Sequence, residues 1–104
     1  MVQKRDLDLI RRFKAQMQGR IPILQMIFFG SRAHGRPGPQ SDYDLLAVSE
    51  KFAGIPFHKR PLQFYLSWEG SAPLEVLCYT PEDFEEKSRR HSIVREAVET
   101  GIFI

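Results

Sequence analysis

Apolar residues change their spacing along this chain, and the changes divide it into elements. Over residues 3 to 18, Leu7, Ile10, Phe13 (or Lys14) and Met17 recur at helical spacing and Gly19 follows as a stop, which predicts an amphipathic helix. Ile21 to Phe29 is nearly continuous apolar sequence after Pro22, broken only by Gln25, the pattern of a strand buried on both faces. Ser31 is placed to cap a single helical turn ending at Gly35, and RPGPQS reads as a tight connection to a second strand, Tyr43 to Val48. After a Gly54/Pro56 loop, residues 58 to 68 (HKRPLQFYLSW) group Leu62, Tyr65, Leu66 and Trp68 in a helix with Pro61 in its first turn and Gly70 as its end. LEVLCY, residues 74 to 79, predicts a third strand. Thr80 then caps a helix with Pro81 at its first position and Glu82 and Asp83 at the positive end of its dipole. A last helical segment, Ile93 to Glu99, stops at Gly101 before IFI, a candidate short edge strand. Helices alternating with three or four strands predict a two-layer α/β (α+β) domain, a single small mixed β-sheet with helices packed on it.

Composition narrows the picture. A chain of 104 residues, 42% hydrophobic and 27% charged, is expected to form one domain over residues 1–104. No window approaches the ~20 apolar residues of a membrane span, and MVQKRDLDLIRR is charged where a signal peptide needs an apolar centre, so a cytoplasmic protein is expected. The single cysteine, Cys78, cannot form an internal disulfide, and no Cys/His cluster has zinc-site spacing, which suits a reducing compartment. A net charge of +2 is too weak to argue for a nucleic-acid partner. Its distribution says more: residues 1 to 41 carry eight Lys/Arg against Asp6 and Asp8. That half suits a polyanionic ligand, or equally a solvated helix face on Lys4, Arg5, Arg11, Arg12 and Lys14.

The chemistry concentrates in FFGSRAHGRPGPQSDYDLLAV, residues 28 to 48. Asp42 and Asp44 flank Tyr43 at a strand entry, and alternate strand residues share a face with Cα atoms ~6.7 Å apart. Two hard oxygen ligands on one side suit a divalent metal, with Mg²⁺ the leading candidate because it is commonly held by one or two carboxylates plus substrate phosphates. A D-x-D pair alone is more often a strand cap; its context decides here. Gly30 and Ser31 end the preceding strand, where backbone N–H groups and a hydroxyl can face a phosphate. Glu75 is an acid inside an otherwise apolar strand, where a lone carboxylate is costly to bury without a cation. It is the candidate third carboxylate of a two-metal site, unless it lies on an exposed sheet face or pairs with an arginine. His34, His58 and His91 are scattered over different elements, while Cys78, Phe64, Tyr65 and Trp68 read as packing residues.

The Gly-Ser pair followed after ten residues by Asp-x-Asp resembles the signature of the DNA polymerase β nucleotidyltransferase superfamily. The short chain looks most like the minimal nucleotidyltransferases (MNT), small antitoxin partners of HEPN-domain ribonucleases. The resemblance covers essentially the whole chain and implies a polymerase β-like nucleotidyltransferase fold. It implies that Gly30 and Ser31 bind nucleotide phosphates, that Arg32 stabilises phosphate charge, and that Asp42 and Asp44 ligate Mg²⁺. Glu75 would be the third carboxylate, serving a second Mg²⁺ or acting as general base. Many minimal members carry Asp at that third position; this chain departs in having Glu. The implied reaction is nucleotidyl transfer, AMP from ATP to a hydroxyl, such as a tyrosine of a HEPN-domain toxin in a toxin-antitoxin system. The alternative is a non-catalytic module that binds nucleotide or neutralises its partner by contact alone. Nucleic acid is not expected as a direct substrate, since nothing in the chain supplies a second domain to hold it, and an oligomer is left open.

Overall fold

The computed structural model describes residues 1–36, 38 and 41–104. Helix α1 (Lys4–Gln18) leads into strand β1 (Gln25–Phe29) and the short helix α2 (Gly30–Ala33); strand β2 (Tyr43–Val48) follows. Two 3-10 turns, Glu50–Phe52 and Phe57–Lys59, precede helix α3 (Leu62–Ser67), strand β3 (Leu74–Tyr79), helices α4 (Pro81–Ser88) and α5 (Ile93–Thr100), and strand β4 (Ile102–Phe103). The sheet order is β3-β2-β1-β4; β2 and β3 are parallel, and β1 is antiparallel to both β2 and β4. This is the single mixed sheet expected, with IFI contributing its edge strand. None of the described helices is long and apolar enough to cross a membrane.

Two differences from the sequence expectation have clear causes. The first strand starts at Gln25 rather than Ile21 because the Gln18 side chain takes both backbone groups of Ile23: its Oε1 accepts from the Ile23 N–H at 2.7 Å, and its Nε2 donates to the Ile23 carbonyl at 3.0 Å. The segment 58–68 is not one helix. Pro61 lacks an N–H and stands at the N-cap of α3, so the chain before it closes only a 3-10 turn. Phe64, fully buried, carries the inward face of α3, whereas Leu62, Tyr65 and Leu66 point to solvent. Thr80 and Ser92 cap α4 and α5 as their sequences require, each hydroxyl accepting an N–H at 3.2 Å.

Strand alternation sorts the core into two sets and makes three layers where two were expected. Met26, Phe28, Leu45, Ala47, Val76 and Cys78 lie on one face and pack with Ile10, Phe13 and Met17 of α1 and Phe64 of α3. Ile27, Leu46, Val48 and Tyr79 lie on the other, under Val94 and Ala97 of α5, with Phe84 of α4 beside them. Both faces are covered, so central strands are apolar throughout. The second face matters most: following its alternation to the sheet end brings Phe29, Asp44 and Glu75 into one row.

Candidate active site

Strand pairing builds that row. Phe29 stands opposite Asp44 across the antiparallel β1–β2 pair, and Asp44 stands beside Glu75 across the parallel β2–β3 pair. Adjacent strands are ~4.8 Å apart, so the two carboxylates on the same face are immediate neighbours. Asp42 precedes the strand by one residue, in phase with Asp44 and exposed. Asp44 is half-buried, and Glu75 is exposed on the sheet face. Among the described residues none of these carboxylates has a hydrogen-bond or ion-pair partner in a side chain. The consequence is electrostatic. Burial, the Glu75 charge and the Asp42 charge together raise the Asp44 carboxyl from 3.8 to about 6.

Beside the row the backbone turns from β1 into α2 through Gly30, whose φ of +81° belongs to the left-handed region. A Cβ at Gly30 would collide with the Asp44 carboxylate oxygen, so a side chain is excluded both by conformation and by the acid packed against it. The helix begins at Gly30 with Phe29 as its N-cap and no side-chain cap. Ser31, expected to cap the turn, lies within it instead; its side chain is exposed toward a depression of about 430 Å³ shared with His34 and Arg36. The expected RPGPQS connection falls partly on Pro37, Pro39 and Gln40, outside the described residues.

Arg32 is placed differently from the phosphate-facing role inferred for it. Its side chain is buried: Nε donates to the Ser41 carbonyl at 2.7 Å, Nη1 lies 3.5 Å from Asp6 Oδ2, and the guanidinium sits 4.3 Å from the Tyr43 ring centre. Tyr43 donates its hydroxyl to the other Asp6 oxygen at 2.7 Å. Burial and the hydrogen bond to Asp6 raise the Tyr43 pKa, keeping the phenol protonated. This buried triad ties α1, α2 and the residue between Asp42 and Asp44 together, so Arg32 positions the site from within. Sequence reading missed Asp6 and Tyr43. The signal was present: Asp6 shares the helical stripe of Ile10, Phe13 and Met17, where a buried acid demands partners.

The carboxylates suit a divalent cation. Asp42 and Glu75 lie in electrostatic reach of Asp44 and raise its proton affinity, and among the described residues no side-chain cation pairs with any of the three, a state that an oxygen-preferring dication relieves. They do not form a closed cage; among the described residues no three acidic, His or Cys groups converge as a finished ligand set.

Residues 10–103 match the family model of the nucleotidyltransferase domain. The chain belongs to that family. Two solved structures resemble this nucleotidyltransferase domain: a candidate nucleotidyltransferase from Sulfolobus solfataricus, 21% identical, covering 95% of this chain and 78% of that one with a TM-score of 0.65; and BolA1 from Arabidopsis thaliana, 17% identical, covering 72% of this chain and 94% of that one with a TM-score of 0.55. At these identities the likeness is one of fold. No curated protein sequence matches this nucleotidyltransferase domain.

Proposed function

We propose that this nucleotidyltransferase domain moves AMP from ATP to a hydroxyl on a partner protein, a tyrosine of a HEPN-domain toxin being the acceptor its sequence resemblance points to. The observation that carries the reading is the side-chain-free Gly30 turn lying directly against Asp44 in the carboxylate row. A phosphate chain needs open backbone, and carboxylates beside it would hold the cation that offsets its charge.

In this reading the open backbone at Gly30 and the Ser31 hydroxyl hold and orient the triphosphate. Asp42, Asp44 and Glu75 would hold Mg²⁺, which when bound neutralises phosphate charge and makes the α-phosphorus more electrophilic. Glu75, exposed at the outer end of the row, would serve the metal or act as general base toward the attacking hydroxyl. The acceptor oxygen forms a bond to the α-phosphorus, the bond to the bridging oxygen breaks, and pyrophosphate leaves. Arg32, Asp6 and Tyr43 hold the aspartate pair in register.

The test is incubation with Mg²⁺ and α-labelled ATP in a lysate of the source cells, beside Asp42→Asn/Asp44→Asn. A labelled protein band seen only with the parent supports transfer. Label that persists with the double variant, or that goes to nucleic acid instead, overturns it.

A further inference from the structure

Helix α3 turns an apolar stripe outward that the proposed chemistry does not use. Leu62, Tyr65 and Leu66, spaced as one helical face, are 57%, 41% and 76% exposed. Single exposed leucines are ordinary, but a contiguous stripe marks an interaction surface. At its start the stripe runs into a groove of about 360 Å³ whose apolar lining includes Phe52 and Ile55. The charged residues around this groove are Arg20, Lys51, Lys59 and Arg60, with no acid among them. Arg60 is paired with Asp83 at 3.7 Å, as Arg89, Arg90 and Arg95 each are with a glutamate four residues away. Lys51 and Lys59 have no acidic partner among the described residues. At the other end of the stripe, the Tyr65 hydroxyl accepts the Val76 N–H at 3.2 Å, at the edge of β3.

We propose that this face is the docking surface for an acidic amphipathic helix of a partner protein. Its apolar side fills the groove and lies along Leu62, Tyr65 and Leu66, and its carboxylates meet Arg20, Lys51 and Lys59. A helix is favoured over an added strand because the β3 edge is already engaged: Tyr65 takes the Val76 N–H, and Arg60 Nη1 donates to the Cys78 carbonyl at 3.2 Å. Nucleic acid would satisfy the cations and leave the stripe wet. A second copy offers exposed Glu82, Glu85 and Glu86 on α4, but Phe84 of that helix is packed toward its own sheet. The docking stands without the transfer reading: α3 packs on the sheet face opposite the carboxylate row.

Two fluorescent helical peptides of about five turns, sharing one leucine stripe but bearing Glu or Lys on the remaining positions, test the proposal by anisotropy. The acidic peptide is expected to bind saturably and to weaken with salt, and the basic peptide is expected not to bind. Leu62→Gln/Leu66→Gln and Lys51→Glu/Lys59→Glu should each weaken binding about tenfold or more, with unchanged thermal melts. Asp44→Asn should bind like the parent, which separates failure of docking from failure of transfer. Equal binding of both peptides, no binding of either, or indifference to these substitutions overturns the proposal. So does self-association in sedimentation that Leu66→Gln abolishes, which assigns the face to a second copy.

Discussion

Replacing Asp44 by Asn removes a charge from the carboxylate row while keeping its shape, and the metal-free protein should become more stable. The folded carboxyl titrates at about 6 against an ordinary 3.8, roughly two pKa units. At ~1.4 kcal/mol per unit the ceiling is about 3 kcal/mol, and solvent screening of a half-buried group reduces this to about 1 kcal/mol. Because the folded value is raised, the folded state binds the proton more tightly. The favourable contribution is complete below 3.8 and is lost as pH rises through about 6. Denaturant unfolding without divalent ions should therefore show Asp44→Asn more stable than the parent at about pH 8, with the gap closing at about pH 4. Mg²⁺ should raise the parent midpoint and leave the variant unmoved. Nucleotidyl transfer should fall in the variant even as stability rises, the opposition expected where a site is strained for function. A variant less stable than the parent at high pH, or a gap independent of pH, would refute the electrostatic argument.

The remaining expectations concern the parts that hold the row in place. Gly30→Ala should abolish transfer and cost on the order of 2 kcal/mol from its positive φ and the collision with Asp44; in a double-mutant cycle, Asp44→Ala should recover part of that cost. Asp6→Asn strands the buried Arg32 guanidinium and should cost about 3 kcal/mol in urea unfolding, with Asp6→Asn/Arg32→Met less damaged than the single change. Cys78 is buried and its thiol is pushed up to about 12, so it should ignore aromatic disulfide reagents until unfolding exposes it; fast labelling of native protein would contradict its placement.

How much of this was legible in the sequence depended on whether a feature was set locally or by tertiary contact. The alternation of YDLLAV and LEVLCY, the Thr80-Pro81 start of α4 and the Gly30 turn are local signals, and each appears where the residues put it. Registers between strands are not local. Nothing in the spacing of Asp44 and Glu75, thirty-one positions apart by subtraction of their numbers, states that they stand side by side; parallel pairing of β2 with β3 does that. The face of α3 was likewise misread because Leu62, Tyr65 and Leu66 satisfy a helical stripe as well as Phe64 does, and the preceding proline break sets the rotation that buries Phe64.

Arg32 carries the same lesson into the site. An arginine directly after Gly-Ser invites a phosphate-binding role, yet Asp6 and Tyr43 draw it inward, and both partners come from other elements. The arrangement divides labour by charge. The buried acid Asp6 has its cation and its phenol, so it is structurally complete; the charged side chains that act on the half-buried acid Asp44 among the described residues are the acids Glu75 and Asp42. In the transfer reading, the carboxylate that the fold satisfies is the scaffold, and the carboxylate that it leaves without a cation is the one that would bind the metal.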